Sequence, residues 1–132
     1  YKPFTHQHLD EIGETLGNPK IYFLPQRGNF TRGIFATCYT YFDGELKEVI
    51  EMYKEYYKNH PFTHVSNNEL TLKQVVNTNH CALHLHQFED KLLITSVIDN
   101  LLKGASGQAI QNLNLIMGWK EDMGLQLKAS VY

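Results

Sequence analysis

The chain reads as an α+β domain, a mainly antiparallel sheet with helices on one face, and three observations carry that reading. Runs such as "GIFATCYTYF" are dense in the aromatic and branched residues that suit a pleated sheet. "HCALHLHQF" and "KLLITSVI" flank Glu89-Asp90 as the two arms of a hairpin. Between such runs lie segments whose apolar residues recur at helical spacing. With 132 residues, 42% hydrophobic and 20% charged, the length suits one domain, 1–132, with a modest core.

Taken in order, residues 8–16 predict a short helix, in which Ile12 and Leu16 share a face and Gly17 and Pro19 supply the stop. "KIYFLP" is expected to be a strand, and "GIFATCYTYF" a second, longer one. The loop between them, "QRGNFTRG", carries Arg27 and Arg32. Asp43-Gly44 then turns into a helix marked by Leu46, Val49, Ile50, Tyr53 and Tyr57, which Pro61 ends. "FTHVS" reads as a short strand, and "TLKQVVNT" fits a helical turn or a strand equally.

After the hairpin, residues 100–118 predict a helix with Ala105, Ala109, Leu113, Ile116 and Met117 along one face and Gly118 as its cap. Its entrance is unusual. Two glycines weaken a helix start unless something must come close to the backbone there. Exposed N–H groups, the helix dipole and Lys103 could together meet an anion or a polar ring. The competing reading is a small-residue helix packed closely on another domain, and the two are compatible.

Twelve basic and fourteen acidic residues leave a formal net charge of -2, which disfavours nucleic acid and anionic membranes as partners. No apolar run approaches the roughly 20 residues that span a bilayer. The start "YKPFTHQHLDEI" lacks the basic and apolar regions of a signal peptide, so a cytoplasmic location is expected. Cys38 and Cys81 make no disulfide framework and are expected to be free thiols.

Four groups of residues could carry chemistry. His80, Cys81, His84 and His86 are metal-ligand types, but strand alternation puts Cys81 on the face opposite the three imidazoles. No Cys-x-x-Cys or HExxH spacing supports a metal. His6, His8 and Glu11 cluster at the first helix, where His8 and Glu11, three apart, could form a proton-transfer pair or simply a surface cap. Arg27 and Arg32 suit a carboxylate or phosphate, or stand as solvated charges. The helix entrance, Lys103 to Gln108, is the fourth.

Four separated segments then fall into one family order. "YKPFTHQHLDEI", "FTRGIFAT", "NTNHC" and, most specifically, "VIDNLLKGASGQAIQNLNLIMG" resemble the C-terminal catalytic and dimerisation domain of the N-acetyl-gamma-glutamyl-phosphate reductases of arginine biosynthesis. That family shares its architecture with aspartate-semialdehyde and glyceraldehyde-3-phosphate dehydrogenases. The chain departs from it at Gln7, where an arginine usually stands between the two histidines, and in the loop "PQRGNFTRG", where many members read Pro-His-Leu.

The resemblance implies an NADP-dependent enzyme acting on an acyl phosphate. A thiolate attacks the γ-acyl phosphate, phosphate leaves, and NADPH reduces the thioester to the semialdehyde. It implies an N-terminal Rossmann domain that binds most of the NADP and supplies the cysteine, neither of which this chain contains, so the chain alone is expected to be inactive. It implies His8 as acid/base with His6 as alternate, Glu11 orienting the imidazole, and Arg32 and Arg27 holding the substrate's carboxylate or phosphate. Lys103, Gly104, Ser106, Gly107 and Gln108 would lie against the nicotinamide end. A homo-oligomer is expected, with Phe35, Tyr39 and Tyr41 on an aromatic strand face. The alternative is a non-enzymatic ligand-binding or oligomerisation module of the same fold.

Overall fold

A computed structural model describes residues 1–129. Two compact units make up the chain, Tyr1–Thr31 and the residues from Arg32 onward.

In the first unit the helix α1 spans His8–Thr15. Gly17, at φ 78°, turns the chain out of it, a conformation glycine adopts without penalty. The strand expected over "KIYFLP" is not formed. Residues 20–25 run as irregular chain, with one backbone bond from Phe4 N–H to the carbonyl of Phe23. A β-rich run becomes a strand only where a neighbour offers a ladder, and proline stands on either side of this one, at 19 and 25.

The second unit is a four-stranded sheet in the order β1-β4-β3-β2. β1 (Ile34–Tyr41), β4 (Lys91–Ile98) and β3 (Cys81–Phe88) are antiparallel neighbours, while β2 (Thr63–Val65) lies parallel to β3. A parallel pair needs a crossover, and residues 66–80 provide it, with a 3-10 turn at Leu72–Gln74 resolving the ambiguity of "TLKQVVNT". Thr71 and Gln74 close that turn as a reciprocal capping box.

The helix α2 (Leu46–Tyr57) covers one sheet face. Val49 packs with Leu85 and Leu92, and Leu46, Ile50 and Tyr53 extend the contact. Those are the positions whose 3.6-residue recurrence predicts the helix. On the opposite face Val97, wholly buried, packs with Leu70 and Val75 of the crossover. The crossover covers only part of that face. Register puts Phe35, Tyr39, Tyr41 and Phe88 on Val97's side, and all four are exposed.

The segment 100–118 departs from a plain helix in two ways. Leu102–Ser106 is wound as a π turn, with Gly104 N–H bonded to the Asp99 carbonyl and Ser106 N–H to that of Leu101, five residues back. The helix α3 follows over Gly107–Ile116, and Gly118 ends it at φ 68°. The face expected to be core is reversed: Ala105, Ala109, Leu113, Ile116 and Met117 are exposed, and Gly107 and Asn114 are the buried positions. Amide chemistry explains this. Asn114 Nδ2 donates to the carbonyls of Glu121 and Met123, so the polar side of α3 grips the chain that follows it. No helix among the described residues is long and apolar enough to cross a membrane.

Candidate functional site

The first unit holds an imidazole cluster at the start of α1. Glu11 follows His8 by three residues on one helix face, and Glu11 Oε2 lies 2.8 Å from His8 Nδ1. A carboxylate there favours the tautomer with hydrogen on Nδ1 and leaves Nε2 to exchange a proton. No hydrogen bond to His8 Nε2 is formed among the described residues, and the side chain is 54% exposed.

His6 differs. Its Nε2 meets the Tyr1 hydroxyl at 3.0 Å, and its Nδ1 accepts from the His8 backbone N–H at 3.3 Å, so both ring nitrogens are engaged. The two imidazoles stack with centroids 5.0 Å apart. Desolvation first, and then the neighbouring charges of His8 and Lys2, lower the His6 pKa below the usual histidine range. Arg27 lies in the same unit, its guanidinium 4.2 Å over the Tyr1 ring.

The second unit contains a clasp that closes around Asp99. β4 ends at Ile98 opposite Ile34, the first residue of β1, and the chain beyond each end stays paired through side chains. Arg32 Nε lies 3.1 Å from Asp99 Oδ2, Nη2 donates to Oδ1 at 3.3 Å, and Nη1 donates to Asn77 Oδ1 at 2.6 Å. Gly33 N–H donates to Asn100 Oδ1 at 2.7 Å. Gly33 sits at φ 114°, and a Cβ on it would press on Leu72, so both conformation and space require glycine.

The same carboxylate reaches the helix entrance. Asp99 Oδ1 accepts from the N–H groups of Leu101 and Leu102 at 2.8 and 3.0 Å, and Oδ2 accepts from Asn77 N–H at 2.8 Å. Burial alone would raise this carboxyl. The backbone donors of Asn77, Leu101 and Leu102, together with Arg32, outweigh burial and hold its pKa below the ordinary aspartate value.

Around the entrance, Lys103 Nζ donates to Gln111 Oε1 at 2.7 Å, and Gln111 Nε2 donates to Glu121 Oε1 at 2.6 Å. Gly107 is buried against Asn79, whose Nδ2 donates to the Leu125 carbonyl. A Cβ at 107 would overlap Asn79 Oδ1, so the reason for this glycine lies inside the chain. Gly104, Ser106 and Gln108 are exposed. The first N–H groups of the segment already bond the carbonyls of Asp99, Leu101 and Leu102. These donors, Lys103 and Gly107 make internal contacts, and Lys103 Nζ keeps two further hydrogens.

The histidines on and beside β3 stay apart from a ligand cluster. His80 Nδ1 lies 2.8 Å from His64 Nε2, His84 Nδ1 lies 3.2 Å from the Ser66 carbonyl oxygen, and Cys81 lies on the other face, 3.6 Å from Ser96 Oγ. Among the described residues no three His, Cys, Asp or Glu side chains converge as a metal site would need. Both cysteines are free thiols.

Asp99, Asn77 and Asn100 are the site residues that sequence reasoning passed over. A signal was available, since an Asp two and three residues ahead of the first helical N–H groups is a capping pattern. The semialdehyde dehydrogenase dimerisation domain family matches residues 1–100. The chain belongs to that family. Semialdehyde dehydrogenase dimerisation domains are thus the frame for both the imidazole cluster and the clasp.

Three relatives within this frame share one name. N-acetyl-gamma-glutamyl-phosphate reductase of Christiangramia forsetii is 57% identical over 138 aligned positions, which take in 100% of this chain and 43% of the relative. The protein of that name from Parabacteroides distasonis is 54% identical with the same coverage. The one from Flavobacterium johnsoniae is 52% identical over 98% of this chain and 42% of its own length. The chain therefore spans less than half the length of these curated relatives.

Proposed function

We propose that this chain is the substrate-binding and dimerisation part of an NADPH-dependent reductase that converts an N-acyl-gamma-glutamyl phosphate to the semialdehyde in arginine biosynthesis. The observation that carries the reading is the 57% identity, across the whole chain, to a protein named as that reductase. A cytoplasmic location and a homo-oligomer accompany it.

In this reading a thiolate from outside the chain attacks the acyl carbon, and phosphate departs. His8 Nε2 takes the thiol proton and returns one to the developing alkoxide, while Glu11 keeps the ring oriented through Nδ1. His6, engaged at both nitrogens, is the alternate. Arg32 holds the substrate's carboxylate or phosphate, with Arg27 a second candidate. The dinucleotide is held chiefly outside these residues, with Gly104, Ser106 and Gln108 at its edge. Lys103 and Gly107 make internal contacts and lie at the same edge, with two ammonium hydrogens of Lys103 left to offer.

The test is a chimera in which this chain replaces the matching 43% of the Christiangramia relative. Reduction of N-acetyl-gamma-glutamyl phosphate with NADPH consumed in equal amount is expected. A folded, dinucleotide-binding chimera without turnover would overturn the proposal.

A further inference from the structure

We infer that Asp99 is a positioning residue: its buried carboxylate fixes the Arg32 guanidinium so that the remaining N–H groups present a preset fork to an anionic substrate group. This rests on the reading of Arg32 as the anion clamp. The geometry supplies the reason. A flexible arginine loses side-chain entropy when it binds an anion, whereas a fork already held has less to lose. Arg32 is held on two sides, by Asp99 through the Nη2 hydrogen bond and an ion-pair contact at Nε, which itself makes no hydrogen bond, and by Asn77 at Nη1.

Valence does the rest. Each terminal nitrogen carries two hydrogens and gives one to the clasp, so each keeps one further N–H. Two parallel N–H groups match the two oxygens of a carboxylate or phosphate. The Arg32 side chain is 29% exposed while its anchor, Asp99, has no exposure.

The anchor resists competition from the ligand. An incoming anion could pull the guanidinium off an exposed aspartate. Here the carboxylate also accepts N–H groups from Asn77, Leu101 and Leu102, so it cannot swing away without breaking three backbone bonds. The two oxygens divide this labour. Oδ1 accepts from Leu101, Leu102 and Arg32 Nη2, and Oδ2 accepts from Asn77 and stands in ion-pair contact with Arg32 Nε. Asp99→Asn can keep its carbonyl oxygen on the helix entrance and on Arg32 Nη2, but it loses the charge that attracts the guanidinium and sets an amide N–H against Arg32 Nε and Asn77 N–H.

The experiment uses the chimera and reads KM against kcat. Arg32→Ala is expected to raise KM for the acyl phosphate roughly 10- to 100-fold. Asp99→Asn should raise it about 10-fold with kcat within about threefold, and should add nothing in the Arg32→Ala background, because positioning acts only through the residue positioned. If Arg32→Ala leaves KM unchanged, the clamp reading falls and this inference with it. If Arg32→Ala raises KM but Asp99→Asn does not, or if the two effects add, only the inference falls.

Should Asp99→Asn fail to fold, Asn77→Gly decides. It removes the Nη1 acceptor at a residue already at φ 64°, where glycine relieves the backbone. A raised KM supports the inference, and an unchanged one overturns it. In the 132-residue chain itself, the Arg32 Nη–H resonances should be resolved and slow to exchange near neutral pH, and lost on acidification as Asp99 protonates. A fast-exchanging signal in the native chain would remove the clasp and the inference together.

Discussion

Asn79 Oδ1 fills the space that a side chain at residue 107 would need, and the Leu102 carbonyl oxygen would stand only 2.9 Å from the same added carbon. Gly107→Ala gains helix propensity worth about 1 kcal/mol. It must also displace a buried amide that is tied to Leu125, and overpacking of this kind costs about 1 to 3 kcal/mol. Loss of stability is expected. Gly104→Ala is the control, because its added carbon meets nothing closer than Ile98 Cδ1 at 3.4 Å. Urea unfolding of both variants checks the pair, and a Gly107→Ala as stable as Gly104→Ala would refute the close approach.

Acid should weaken the second unit through His80. Desolvation, then His64 and Lys103, lower its pKa from the usual 6.5. Between the lowered folded value and 6.5 the unfolded chain therefore binds more protons, and stability rises with pH. The contribution is complete above 6.5 and is lost as pH falls through the folded pKa. His80→Gln should flatten the pH dependence of the unfolding midpoint in that window. An unchanged slope would rule out His80 as its source.

Reading the chain without its fold succeeds where one element contains its own signal. The spacing of Leu46, Val49, Ile50 and Tyr53, the Glu89-Asp90 turn and the three-residue step from His8 to Glu11 are such signals, and each matches the structure. It fails where partners are remote. "KIYFLP" lacks the neighbour a strand needs, and the apolar stripe of α3 faces outward because Gln111 and Asn114 bond to residues 121–123. The clasp joins positions 32, 77 and 99, and no local period encodes that meeting.

Self-association should run through the uncovered sheet face. Phe35, Tyr39, Tyr41 and Phe88 share it, and Tyr39 is 72% exposed. At so exposed a position Tyr39→Glu should change folding stability by no more than about 0.5 kcal/mol, yet like charges brought together across a two-fold contact would oppose pairing. Sedimentation should show a dimer for the native chain and a monomer for the variant. A native monomer at high concentration would refute self-association, and a variant that still pairs would place the contact elsewhere.

The last prediction separates the two imidazoles. His8 has its Nδ1 on Glu11 and its Nε2 without a hydrogen bond among the described residues, whereas His6 is engaged by Tyr1 and by the His8 backbone. A general acid or base must reach the proton it moves, so His8 has the accessible nitrogen. In the chimera, His8→Asn should lower kcat by about 10² to 10⁴ with little change in dinucleotide affinity. Glu11→Gln keeps the side chain's shape but not its charge, and should cost less, since it alters the orientation and basicity of His8 rather than removing the proton carrier. His6→Asn should act more weakly than His8→Asn, through loss of the stacked ring and of the acceptor for His8 N–H. Steady-state rates across pH 5 to 9 decide the matter. If His6→Asn abolishes turnover while His8→Asn stays within a few-fold of the parent, the roles are exchanged. If neither changes kcat, the cluster serves only to cap α1.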